Sequence, residues 1–322
     1  MATPVPGTIL TNPAQTGDIG SFFLAVLMLR QRAYTEAKPM ARGLGLLSDI
    51  PSEEQAYAIP FGPIALGKLE EYADGNRPGA MKPQGTMIKG SVTKRGITPL
   101  RMFEGDRTAA RVPYLTSSIL ARGRAERLME DRLRARALEN GTSAVLQPSY
   151  DGKAFYATDH YVDPVAASGS QANLITGALT PDRLGDAKVQ FRTFLAENNT
   201  DPIYSGFEPD FLLEVPPALE KVAAKICERS HIAEGNAALE NIESGTQYYV
   251  NTFLSSSVAW YLHVINTGMP MCYRVVHRPM QRWDKGPESA LYQDTKAVEI
   301  YADEWTDYRL TAWELSVKST GV

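Results

Sequence analysis

Cysteine is scarce: the 322 residues contain two, Cys227 and Cys272. Two thiols cannot build a disulfide framework, and they are too few to hold a structural zinc by themselves. Histidine is almost as rare, and His160, His231, His263 and His277 show none of the spacings of a helical metal site. Long apolar runs are missing as well. The densest, Phe22 to Leu29, spans eight residues, too short to cross a bilayer, and no small-residue cleavage site follows it. The chain therefore reads as an intracellular, soluble product with no membrane partner. An excess of one charge is also missing, since 37 acidic residues face 33 basic ones for a net charge of -4. No global field draws such a molecule onto nucleic acid or an anionic membrane, which argues against a generic nucleic-acid binder.

Motifs that carry chemistry are equally thin. Gly62-Pro63-Ile64-Ala65-Leu66-Gly67-Lys68-Leu69 has the glycine and lysine spacing of a phosphate-binding loop. Its closing leucine cannot bind magnesium, and Pro63 removes an N–H that such a loop uses. Gly43-Leu44-Gly45-Leu46-Leu47-Ser48 lacks the strand-loop-helix context of a dinucleotide site. No serine sits in a Gly-x-Ser-x-Gly elbow, and Cys227 falls beside Ile226 on an expected helix, where a buried structural thiol is the simpler reading. Asp159-His160 with Asp163 is the nearest approach to a metal-ligand cluster, weighed against a turn that uses these side chains for local hydrogen bonds. Glu53-Glu54 and Glu70-Glu71 are adjacent and do not share a face as an acid/base dyad would. The balance favours a structural role over catalysis.

What is present is an ordinary globular composition, 43% hydrophobic and 22% charged, on a chain long enough for two domains. Of its 46 glycines and prolines, 22 fall in the first 100 residues, so the N-terminal third is the extended part. After Asp18 as N-cap, a helix is expected through about Tyr34. The glycine-broken stretch 57–98 fits a long two-stranded hairpin better than a structureless loop, with strand-like pieces at Thr86 to Ile88 and Ser91 to Thr93. Ser117 to Glu139 reads as one helix of about 35 Å, closed by Gly141. Its six arginines, Arg122, Arg124, Arg127, Arg132, Arg134 and Arg136, outnumber its acids and suggest a solvated basic face. Thr180-Pro181 opens a second helix with an apolar stripe of Leu184, Ala187, Phe191, Phe194 and Leu195. A buried strand at Phe211 to Val215 runs into Pro216-Pro217 and a third helix carrying Leu219, Val222, Ala223 and Ile226. Further strands are expected at Trp260 to Ile265, Tyr273 to His277, Val298 to Ala302 and Tyr308 to Val317, the last by its alternation. Helices mixed with C-terminal strands make the fold α+β.

At Ser149 to Asp163 the sequence reads SYDGKAFYATDHYVD, and this segment resembles the major head subunit family of Mu-like phages. Ser52 and Tyr57, Gly62-Pro63, Leu69-Glu70-Glu71-Tyr72, Gly96-Ile97, Phe103-Glu104, Asn173-Leu174, Glu208 to Pro216, Asn251-Thr252-Phe253 and Trp260-Tyr261-Leu262 agree in order. The C-terminal Asp307 to Trp313 departs from the family pattern, keeping only its tyrosine and tryptophan, and residues 1–50 are unmatched. The resemblance implies the tailed-phage coat fold of Hong Kong 97 type: an N-terminal arm over 1–56, an E-loop over 57–98, and a P domain over 99–205 that includes a spine helix at 117–139. An A domain over 206–266 and C-terminal strands over 267–322 complete it. It implies a self-assembling major capsid protein in hexamers and pentamers of an icosahedral shell around double-stranded DNA, touched non-specifically on the inner face. Scaffolding, portal and decoration proteins are the expected further partners, assembly occurs in the bacterial cytoplasm, and the product resides in the virion. No catalytic, cofactor-binding or metal residue and no cofactor is expected. With Met1 at the start, no prosequence is expected to be cleaved, and nothing around Lys68 or Lys153 supports covalent crosslinking. The alternatives are an encapsulin-like nanocompartment shell or an α+β hydrolase with a dispersed site.

Overall fold

A computed structural model describes residues 19–62, 86–107, 111–163, 167–196, 201–205, 208–234, 237–265 and 267–322. Seven helices occur among them: α1 (Ile19–Glu36), α2 (Met40–Gly43), α3 (Val112–Arg127), α4 (Met129–Glu139), α5 (Pro181–Thr193), α6 (Glu220–Glu228) and α7 (Ala290–Thr295). The strands are β1 (Leu47–Pro51), β2 (Ala56–Phe61), β3 (Thr86–Ser91), β4 (Thr93–Phe103), β5 (Leu174–Ile175), β6 (Asp210–Val215) and β7 (His231–Glu234). They continue with β8 (Ala237–Glu240), β9 (Gln247–Val250), β10 (Trp260–Ile265), β11 (Cys272–Lys285), β12 (Ala297–Leu310) and β13 (Ser316–Ser319). None of the described helices is long and apolar enough to cross a membrane.

Two sheets organise the chain. The first has the order β1-β11-β12-β4, with β1 parallel to β11 and the other pairs antiparallel. The apolar run of α1 buries Phe22, Ala25, Val26 and Leu29 against Val112, Leu115 and Ile119 of α3 and against Met102, Val298 and Ile300 of the sheet. Gly123 permits the close helix crossing: a Cβ there would lie 2.9 Å from Ala33 and closer still to the Arg30 carbonyl. The second sheet has the order β5-β13-β10-β6-β9, and every residue of β10 is buried. Its core joins Trp260, Tyr261, Leu262 and Leu213 to Leu184, Ala187 and Phe191 of α5, to Ile226 of α6, and to Ala135 and Leu138 of α4. The α3–α4 rod thus runs from the first core into the second.

Several expectations are met. Thr180 caps α5, accepting from the Arg183 N–H at 3.2 Å, and the stripe at Leu184, Ala187, Phe191 and Phe194 is buried. Within 57–98, β2 and β3 form an antiparallel hairpin stem from Ala56↔Ser91 to Phe61↔Thr86. Asp18, most of the phosphate-loop-like segment, Leu69 to Tyr72 and Lys68 lie outside the described residues.

Others need correction. The helix expected over 117–139 begins at Val112, with Pro113 in its first turn, and divides at Leu128, whose backbone leaves helical dihedrals. The expected strand Tyr308 to Val317 does not exist as one element: β12 ends at Leu310, Trp313–Leu315 is a 3-10 turn, and β13 follows. Its alternation misleads because Glu314, Ser316 and Lys318 are buried along with Trp313, Leu315 and Val317. Strands β11 and β12 are each 14 residues long, more than twice the expected runs. Strand β4 went unnoticed because Gly96 and Pro99 interrupt it. Between the pairs Ile97↔Ala302 and Leu100↔Ile300 the register shifts, and this bulge takes up the proline, which has no N–H to give a ladder.

Candidate functional site

The residues considered for chemistry are dispersed and occupied. His160 is fully buried: its Nδ1 lies 2.7 Å from Asp151, its Nε2 3.1 Å from the Phe155 carbonyl, and its ring stacks on Trp313 at 4.4 Å. Asp159 points the other way, accepting from Lys153 at 2.5 Å. No group of three metal-ligating side chains suited to an ion occurs among the described residues. Asp151, Asp159 and His160 are engaged in local hydrogen bonds, and the segment is a knot. Asn173 accepts from the Ala157 N–H at 2.9 Å and donates to the carbonyls of Phe155, Trp313 and Ser316, tying the loop to β13. The Gly43 to Ser48 segment runs from α2 into β1, helix before strand, the reverse of a dinucleotide site. Cys227 and Cys272 are buried free thiols, and burial pushes them up to about 11 and about 12.

One constellation escaped sequence reasoning, because its members are 49 and 53 residues apart. Ser316 Oγ lies 2.9 Å from His263 Nδ1, and His263 Nε2 lies 3.0 Å from Glu214. That is the connectivity of a Ser-His-acid triad, yet all three side chains are inaccessible to solvent. Glu214 is taken up further by Arg134, in a bidentate pair at 3.0 and 2.6 Å, and by Asn251 Nδ2 at 2.6 Å. Burial alone would raise the Glu214 carboxyl, but the Arg134 charge and the His263 hydrogen bond hold it far below the usual range. Burial lowers His263 in turn. The network is a bolt joining α4 to β6, β10 and β13, with no room for a substrate. A cleft of about 320 Å³ lies elsewhere, and Arg42 and Arg274 there neutralise Asp49 and Glu130. It offers no serine, cysteine or histidine.

The hairpin is the other distinctive feature. Strands β2 and β3 pair only with each other among the described residues. Their base rests on an apolar patch of Ile59, Val92 and Val275. Beside it Tyr57 donates to Asp307 at 2.6 Å and accepts from Arg309 Nε at 2.6 Å, while Arg309 also reaches Asp307 (2.9 Å) and the Leu146 carbonyl (2.7 Å). Burial, with the Asp307 charge, raises the Tyr57 phenol, which stays a donor. Gly90 faces Tyr57 across the hairpin, and a Cβ there would overlap the phenol and come 2.8 Å from Arg309.

The buried polar bolts and the contacts at the hairpin's base fix the shape of the molecule. The model of the phage capsid protein family matches residues 101–315, about two thirds of the chain. The chain belongs to the phage capsid protein family. The capsid subunit of cyanophage P-SCSP1u shares the fold at a TM-score of 0.50 and 9% identity, with 86% of each chain covered. The procapsid subunit of bacteriophage JBD30 aligns at 0.47 and 14% identity over 93% of this chain and 75% of its own. A virus-like particle from Pyrococcus furiosus aligns at 0.47 and 11%, covering 92% and 99%. None of the curated protein sequences matches the chain. This phage capsid protein is a structural subunit and not an enzyme. The nanocompartment and hydrolase alternatives are not favoured, and the triad-like Ser316, His263 and Glu214 serve packing.

Proposed function

We propose that this capsid protein is the major head subunit of a Mu-like tailed phage, assembled as hexamers and pentamers around double-stranded DNA. The observation that carries the Mu-like reading is the knot at Tyr150 to His160, where the residues of the resemblance form one buried unit with Trp313 and Asn173. In this reading 1–56 is the N-terminal arm, 57–98 the E-loop, 99–205 the P domain with α3 and α4 as its spine, 206–266 the A domain, and 267–322 the closing strands. A hairpin whose stem pairs with no other described strand suits reach to a neighbouring copy, and head-to-tail contacts of that kind close into rings. Scaffolding, portal and decoration proteins are the partners such a shell takes, with assembly in the bacterial cytoplasm.

The test is negative-stain microscopy with size analysis of the purified protein, alone and with the products of its neighbouring genes. Shells or capsomer rings are expected. A persistent monomer in both conditions overturns the reading.

A further inference from the structure

We propose that the outward stripe of α3 and α4, carrying Arg124, Arg132 and Arg136, is the surface this subunit turns toward packaged double-stranded DNA. The proposal rests on the capsid reading above. At about 100° per residue, Ser117, Ala121, Arg124 and Ala125 fall within an arc of roughly 100° on α3, and Arg132 and Arg136 lie about one turn apart on α4. All six are exposed.

Three of the four acids of the same helices are spent on the interior, and the fourth, Glu139, is half-buried. Glu126 is buried and takes Arg30 Nε at 2.8 and 2.9 Å. Glu130 takes Arg42 and Arg274 at 3.0 and 3.2 Å. Asp131 accepts from the first N–H groups of α2, Met40 at 2.8 Å and Ala41 at 3.1 Å, and Glu139 accepts from Ser255 Oγ at 2.7 Å. Of the six arginines, Arg134 is bolted to Glu214 and Arg122 donates to the Ile97 and Thr98 carbonyls, while Arg127 lies over the Tyr34 ring at 5.3 Å. Arg124, Arg132 and Arg136 make no ion pair among the described residues. A near balance in sequence becomes, through folding, three unopposed positive charges along about 18 Å of helix.

Ser117 and Ala121 before Arg124, and Ala125 beside it, are small, while the exposed aromatic of the same face, Tyr114, stands in the first turn of α3, about 15 Å from Arg124. A phosphate backbone needs only the charge. Three contacts per subunit bind weakly, which lets DNA slide, and the many copies in a shell add them up.

The test is fluorescence anisotropy of a labelled duplex titrated with the full-length protein between 50 and 200 mM salt. Wild type is compared with the triple variant Arg124→Gln, Arg132→Gln, Arg136→Gln and with a charge-matched control, Arg183→Gln, Arg192→Gln, Lys221→Gln. All three proteins are also examined for shells or rings. Removing three phosphate contacts flattens the salt slope by about 2.7, so the fourfold salt change weakens the triple variant about 40-fold less than wild type. The control keeps the wild-type slope, and both variants assemble. An unchanged slope in the triple variant, or no DNA binding by dissociated wild-type subunits that do assemble into shells, overturns the proposal and leaves the capsid reading intact. Loss of assembly in the triple variant but not the control also overturns it, placing the stripe against an acidic face of a second copy. A wild-type protein that never assembles sinks the capsid reading itself.

Discussion

Replacing Glu314 by glutamine should stabilise the subunit in mild alkali and do little in mild acid. Glu314 is almost wholly buried in the 3-10 turn before β13. One carboxyl oxygen accepts from the Tyr150 hydroxyl, and the other has no hydrogen-bond partner among the described residues. Tyr204 donates to its carbonyl at 3.1 Å, and His160 and Asp151 act on it with opposite signs. Burial raises the carboxyl from 4.5 to about 7. A raised carboxyl favours its neutral form in the folded state. Its contribution is complete below the unfolded value, declines as pH rises from there, and is gone above about 7. A displacement of about 2.5 units at 1.36 kcal/mol each makes that loss about 3 kcal/mol at most. Glutamine keeps the shape and never ionises, so Glu314→Gln gains up to that amount at pH 8, less about 1 kcal/mol if the Tyr150 hydrogen bond weakens. Urea unfolding of dissociated subunits at pH 5, 6, 7 and 8, at fixed protein concentration, measures the difference. Parallel stability curves for wild type and variant across that range would refute the reasoning.

Three further outcomes follow from the described contacts. Arg134→Met strands the buried Glu214 and should cost about 3–5 kcal/mol, most of it recovered when Glu214→Leu is added; chemical denaturation of the single and double variants checks this. Gly90→Val forces Tyr57 off Asp307 and Arg309, so amide exchange should rise in β2 and β3 while the unfolding midpoint of the body moves by less than about 1 kcal/mol equivalent. His160→Ala should destabilise by about 2–3 kcal/mol through loss of the Asp151 bond and the Trp313 stack, whereas a chelator leaves the wild-type midpoint unmoved. A chelator-sensitive midpoint would instead mean a metal at Asp159-His160.

Where one residue sufficed to announce an element, the sequence was readable. Thr180-Pro181 marked the start of α5, Pro216-Pro217 closed β6, and the five apolar or aromatic letters of β10, interrupted only by His263, read as a buried strand. Long strands were less legible, because the outer half of the β11–β12 ladder alternates charged and aromatic residues whose cross-strand partners are remote. Glu299, for example, is held by Arg101 and Lys285, and these pairings have no local signature. The split of the long helix was invisible, since nothing at Leu128 breaks a helix and the turn serves packing against two cores. The basic face was half right: counting arginines could not tell Arg134, locked inside, from Arg132, two residues away and exposed.

The pairing of β1 with β11 and of β4 with β12 has a consequence for biosynthesis. Residues 47–51 and 93–103 find their ladder partners only in residues 272–310. Likewise the buried guanidinium of Arg30 waits for Asp284 and the Tyr301 carbonyl. While the ribosome is still making the middle of the chain, β1, β4 and the apolar face of α1 have no partner sheet to join. Such topology folds late and slowly, and it exposes sticky edges in the interval. For a capsid subunit, the delay withholds assembly-ready surfaces until each polypeptide is finished, so that only whole subunits enter the lattice.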